Sequence, residues 1–449
     1  MKPHIIIWIS AISLLSCSES KPTKPAVPDP LTAQINAYLL AHVNNAKFNG
    51  SVFLAKGDSI LYHQHYGLAD RANEIAISDS TKFLIGSITK PFTAMAILLL
   101  EQDGALSLND PLSKYFPDFP IADSVTIEQL LTHTSGIRDY HDFPDWPERS
   151  QSDIIPMDVI EQVKTDPYRF PPGTSFRYSN TGYILLGLII EQVSKSSFDA
   201  YLNKAIIAPL GLKNTGVITN EWSPENLAKG YSTSPRETTP AAYINYNQPY
   251  SSGNMFATCQ DLKTFTLAVM HSDLLPAEKT AEVFSNNAGY YGYGWGIRDF
   301  DGIKAYGHHG GMNGYWGSIT FIPESETFLC FLTNDDNTPK YTINKALVDM
   351  LKGSEAEIPK PYDWRAIDND TKEEVIGHYL VKAGDTLTVF EESDQLFMKE
   401  TGQLAYELFQ VGENRFVMTM QEFDVSFGND TVRFNGMVNL KAPRIKTDY

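Results

Sequence analysis

Two stretches of this chain, residues 91–100 and 181–193, are apolar on every side, and they constrain the fold more than any other feature. A helix without a polar face must be wrapped by other elements, so at least one large core is required. Pro91 is tolerated at the head of the first stretch, because the N–H groups of a first helical turn have no helical partner to lose, and Gly104 ends it. The length, 449 residues, exceeds what one core usually organises, so a large domain with a smaller companion is expected. Hydrophobic residues at 42% and aromatics at 12% suffice to fill both.

Strand signals lie on either side of these helices. Residues 51–55 and 59–65 alternate apolar and polar about Gly57-Asp58, a hairpin pattern. A second hairpin is legible where 316–322 and 327–333 flank Pro323-Glu324-Ser325. Strands at both ends with helices between predict an α+β class, its antiparallel sheet assembled from distant segments and flanked by helices. Beyond Lys352, the residues Gly353, Pro359 and Pro361 and the polar run 368–374 mark a linker over 353–374. Short alternating runs follow at 375–381, 386–390, 395–399, 405–410, 415–420, 423–427 and 431–434, which predicts a small all-β meander or barrel over 375–449.

The N-terminus reads as an export signal: Lys2 precedes an apolar run, 5–15, that is too short to span a bilayer. Leu14-Leu15-Ser16-Cys17 resembles a bacterial lipobox, which makes 1–17 a lipoprotein signal and Cys17 the lipidated first residue of the mature chain. An ordinary secretory signal cut near Ser18 or Ser20 is the alternative. Residues 18–31, rich in Pro, Ser, Thr and Lys, have the composition of a flexible spacer. The expected location is therefore the bacterial cell envelope, with membrane attachment through an N-terminal lipid at the periplasmic or outer-membrane face. A net charge of −18 argues against a nucleic-acid partner, whose phosphates are gripped by Lys and Arg. Cys259 and Cys330, the other two cysteines, are read as buried free thiols rather than a disulfide framework.

Candidate chemistry begins with Ser87-Ile88-Thr89-Lys90 at the head of the first buried helix. Three-residue spacing on one turn puts the hydroxyl and the amine on one face. A serine needs a neighbouring base, and a lysine can serve once desolvation lowers its pKa. The spacing alone is weak, since Ser18-Glu19-Ser20-Lys21 in the spacer has it too. Further along, Tyr178-Ser179-Asn180 leads into the second buried helix, and Tyr306-Gly307-His308-His309-Gly310-Gly311 precedes a strand, where glycines let a substrate backbone approach closely.

In order and separation, Ser87-x-x-Lys90, Tyr178-x-Asn180 and His308-x-Gly310 resemble the three signature elements of the class C β-lactamase and D,D-peptidase superfamily, which includes penicillin-binding-protein-like esterases and D-amino-acid amidases. Leu131-Thr132-His133-Thr134-Ser135-Gly136, Gly253-Asn254-Met255 and Tyr293-Gly294-Trp295-Gly296 also fit. The resemblance implies a serine hydrolase domain over 32–352 with a mostly helical subdomain, and a lipocalin-like C-terminal barrel. It implies Ser87 as nucleophile, Lys90 as principal proton acceptor and Tyr178 as relay to the leaving group. Asn180 would hold a substrate amide, and the backbone N–H groups of Ser87 and Gly311 would form an oxyanion hole. His308 stands where the lactamases carry Lys. A histidine is charged only part of the time, which favours peptidase, amidase or esterase activity over efficient β-lactam hydrolysis. A small-molecule or peptide substrate is expected, without metal or organic cofactor. Two rival readings remain, a β-lactamase and a non-catalytic lipid-anchored binding or sensing protein.

Other candidates receive plainer readings. His63 and His65 share one face of a strand, yet no third metal ligand is evident near them, so an exposed strand face is expected. His308 and His309 point to opposite faces. His133 is assigned a helix-end hydrogen bond. Of Tyr290, Tyr291, Tyr293, Trp295, Tyr315 and Trp316, one or two are expected to line a pocket. Segment 139–155 is either a lid or a surface loop, and Asp335-Asp336 is read as a solvated turn.

Overall fold

The structure, a computed structural model, describes residues 29–285, 290–382, 385–401, 405–418, 423–436 and 440–445. Residues 1–17 with Cys17, and most of the 18–31 spacer, lie outside the described residues. Among the described residues no helix is long and apolar enough to cross a membrane.

Helix α1 (Pro30–Asn44), capped by Asp29, leads into the predicted hairpin of strands β1 (Gly50–Lys56) and β2 (Ser59–Tyr66). The two apolar stretches form α2 (Thr89–Gln102) and α3 (Asn180–Ser194), and α4 (Cys259–Met270) packs beside them. Strands β3 (Gly296–Phe300), β4 (Ile303–Met312), β5 (Tyr315–Ile322) and β6 (Thr327–Thr333) follow, then α5 (Lys340–Leu351). These strands make one antiparallel sheet in the order β3-β4-β5-β6-β1-β2. The N-terminal hairpin thus closes the sheet that the late strands begin, with Val52 opposite Phe331 and Phe53 opposite Cys330.

Helices cover both faces. Phe53 and Ala55 point into the core with α2, α3 and α4, while Val52 and Leu54 point into a second core with α1 and α5. β1 is consequently buried on both sides from Gly50 to Ala55; Ser51 fits because its hydroxyl meets the His65 ring at 3.1 Å. Helix α2 is buried at every position from Thr89 to Leu98, with Phe92 stacked on Phe265 at 3.7 Å. Cys259 and Cys330 are buried free thiols, their sulfurs in contact at 2.9 Å.

The C-terminal region is an eight-stranded antiparallel meander running from Gly377–Lys382 to Leu440–Pro443. It is nearly closed into a barrel, since Tyr379 of the first strand bridges to Arg444 and His378 accepts from the Ile445 amide at 2.7 Å. The last strand was not expected, because it is short and ends in Pro443. Part of the presumed linker is ordered as well: Asp368 caps α6 (Asn369–Val375), and Lys372 binds Glu391 at 2.9 Å. Val375 is the only buried apolar residue of that helix, so no apolar period reveals it.

Asp335 and Asp336 are not a solvated turn but are 2% and 4% exposed. Asp335 accepts from the Thr233 hydroxyl and the Asn337 amide, and the Arg71 guanidinium lies 3.3 Å away. Burial still pushes its carboxyl up to about 6.

Candidate active site

Ser87 sits on a tight turn, Gly86–Ile88, that runs directly into α2, so the hydroxyl projects from the root of a dry helix. Lys90 lies one turn on, fully buried, with Nζ 3.1 Å from Ser87 Oγ. The same nitrogen donates to Asn180 Oδ1 at 2.7 Å and to the Ser252 carbonyl at 2.8 Å. Burial drives the Lys90 pKa down to about 7, against the opposing charge of Asp139. In its neutral form the amine spends two N–H bonds on the two carbonyl oxygens, and its lone pair is left for the Ser87 proton. Activation of the serine follows from that count of donors and acceptors.

Tyr178 precedes α3, and its buried hydroxyl lies beside Ser87, with no partner of good hydrogen-bond geometry among the described residues. Burial holds this phenol well above its ordinary pKa, so it stays protonated and is a donor rather than a base. Its ring rests on His133 at 4.3 Å and lies 4.8 Å from Lys90 Nζ. His133 Nδ1 accepts from the Ser179 amide at 3.1 Å, the helix-end hydrogen bond expected of it, at the cap of α3. His308, on β4, hydrogen-bonds through Nδ1 to the His309 carbonyl at 2.6 Å and through Nε2 to the Tyr291 hydroxyl at 2.9 Å. Burial, reinforced by Lys90, pushes its pKa down to about 3. His308 is therefore neutral near pH 7, a hydrogen-bonding group and not a cation.

Ser87, Tyr178, Asn180, His308, Gly310 and Gly311 line a single cavity of about 620 Å³, with Lys90 beneath its floor. The glycines are sterically required. A Cβ on Gly310 would come within 1.8 Å of the Ile85 carbonyl oxygen, and one on Gly86, whose φ is +48°, within 2.6 Å of the Gly311 nitrogen. The serine turn is thus pressed backbone to backbone against β4. Gly310→Ala is expected to cost at least about 3 kcal/mol, because strand and turn must part. Urea unfolding measures this; a variant with wild-type stability would contradict the packing.

Several residues at the cavity were not singled out from the sequence. Tyr140 and His141 line one wall, so segment 139–155 contributes structure to the site. Burial pushes the Asp139 carboxyl up, but hydrogen bonds from His141 and the Asn180 amide outweigh it and hold it below the usual range. Arg298 of β3 also lines the cavity, bonded to His309, and supplies a permanent positive charge that His308 does not. Of the aromatic cluster, Tyr290, Tyr291 and Trp316 line the cavity, whereas Trp295 and Tyr315 are core residues. Asp139 and Arg298 carry no motif or periodicity, and only the folded arrangement reveals them.

Residues 42–352 match the Beta-lactamase family. The chain is 31% identical over 417 residues to Penicillin-binding protein 4* of Bacillus subtilis (strain 168), covering 86% of this chain and 92% of that one. In fold it resembles D-amino acid amidase from Ochrobactrum anthropi SV3, with a TM-score of 0.64 at 24% identity over 72% of this chain and 99% of the amidase. It likewise resembles the octameric penicillin-binding protein homologue from Pyrococcus abyssi, with a TM-score of 0.65 at 24% identity over 91% and 99% of the two chains. A serine turn on a buried helix, a Tyr-x-Asn and a His-x-Gly strand facing one cavity, and a family match over most of the chain lead to one conclusion: the protein belongs to the Beta-lactamase family of penicillin-binding-protein-like serine hydrolases.

Proposed function

We propose that the protein hydrolyses an amide or ester bond in a small or peptide-like substrate through an acyl-enzyme on Ser87. The observation that carries this reading is Lys90 Nζ, fully buried, held by two carbonyl oxygens and 3.1 Å from Ser87 Oγ. Lys90 takes the hydroxyl proton as Ser87 Oγ attacks the substrate carbonyl. The Ser87 and Gly311 amides, brought together where the turn meets β4, receive the oxyanion. Tyr178 passes a proton to the departing amine or alkoxide and is reprotonated from Lys90. Asn180, already bonded to Lys90, orients the substrate amide, and water then releases the acyl group.

Similarity to a D-amino acid amidase supports amide and ester substrates over β-lactams, with amides of D-residues first, and the Arg298 guanidinium at the cavity is placed to meet a substrate carboxylate. A panel of a nitrophenyl ester, D-amino-acid anilides, a D-alanyl peptide and nitrocefin tests it. Turnover of ester or amide well above that of nitrocefin is expected, and nitrocefin as the best substrate would overturn the preference. The leader and Cys17 support export and lipid anchoring. Cys17→Ala is expected to move the protein from the membrane to the soluble fraction, and continued membrane retention would count against lipidation.

A further inference from the structure

Residues outside the cavity form a second cluster of ligating groups. His63 and His65 alternate on β2, the edge strand of the sheet, and their rings lie 4.7 Å apart. They are half-buried rather than exposed, and the third group that the sequence did not reveal is present. Asp79, fourteen residues beyond His65 in sequence, reaches back so that its Oδ1 lies 2.9 Å from His65 Nε2 and 3.5 Å from His63 Nδ1. The short turn that carries it is fastened by the Ser78 amide donating to Thr81 Oγ1 at 2.9 Å and the Thr81 amide to the Ser78 carbonyl at 3.0 Å.

We propose that His63, His65 and Asp79 form a binding site for a zinc-class divalent cation, with the fourth position open to water. The three donor atoms lie within 4.8 Å of one another. A tetrahedral shell with bonds of 2.0–2.1 Å needs donors about 3.3 Å apart, so two pairs are already close and the imidazoles need only a modest rotation. Two imidazoles and one carboxylate suit zinc, cobalt or nickel rather than magnesium or calcium, which take oxygen shells. An outer contact is in place, since Ser51 Oγ lies 3.1 Å from His65 Nδ1. When the metal enters, the His65 proton moves to Nδ1 and is donated to that hydroxyl, which frees the Nε2 lone pair for the cation. Bound metal would clamp the sheet's free edge to the turn preceding residues 83–88, and so to the segment that presents Ser87.

Cobalt(II) titration of the metal-stripped protein tests the proposal, followed optically and by thermal melting. Expected are one equivalent bound, the visible absorption of a tetrahedral N/O site, displacement by zinc, and a metal-dependent rise in Tm. His65→Ala should abolish the absorption and the rise, and Asp79→Asn should weaken binding at least about tenfold. Asp79 is exposed, so its variant keeps the fold and remains informative even if a histidine variant does not. Absence of stoichiometric binding would overturn the proposal, as would binding unchanged in Asp79→Asn, which would put the metal elsewhere. Magnesium or calcium binding as tightly as cobalt would overturn the assigned metal class.

Discussion

Ser87→Ala is expected to lower kcat/KM by about four to six orders of magnitude, the scale seen when a serine nucleophile is removed from an otherwise intact site. The loss should fall on chemistry and leave substrate binding, because the cavity walls do not lean on the Ser87 hydroxyl. Asn180 and the Ser252 carbonyl continue to hold Lys90, and Gly86 continues to press against β4. Incubation with a fluorophosphonate or a fluorescent penicillin should give one adduct per wild-type chain and none in the variant. An adduct that persists in Ser87→Ala would move the nucleophile to another residue.

Replacing Lys90 with methionine is the second large effect, with acylation expected to fall by about two to four orders of magnitude. Methionine has similar length and fills the dry pocket but offers no lone pair to the serine proton. Lys90→Arg should not rescue the rate, because a guanidinium does not give up its proton in a protein and so cannot act as base. Single-turnover acylation of both variants checks this. If Arg restores the rate, Lys90 acts through its charge and the proposed proton transfer is wrong.

Much of this arrangement was legible because it depends on local pattern. The hairpins β1-β2 and β5-β6 announce themselves by two-residue alternation about turn residues, and α2 and α3 by the absence of any polar face. The order of Ser87-x-x-Lys90, Tyr178-x-Asn180 and His308-x-Gly310 then identified the cavity lining. What stayed hidden depends on contacts between distant segments. A carboxylate is buried only where the fold brings donors to it, and those of Asp335 come from Thr233, Asn337 and Arg71, two of them over a hundred residues away in sequence. Asp139 sits in a segment without periodicity, and Asp79 in a serine-rich turn, yet each completes a cluster by reaching across to another element. The partial charge expected of His308 from its type is reduced further by its surroundings, since burial, and after it the Lys90 charge, lower its pKa to about 3.

The account depends on Lys90 being a neutral amine when Ser87 reacts, and the pH dependence of single-turnover acylation tests that most directly. Below its pKa of about 7 the amine carries a proton and has no lone pair for Ser87, so the rate should rise with pH through a midpoint near 7 and then level off. His308 titrates far below that window and Tyr178 far above it, so neither produces such a rise. A single ascending limb near 7 in the wild type, absent from Lys90→Met, is the predicted result; a rate that is flat across that range, or the same limb surviving in Lys90→Met, would contradict it.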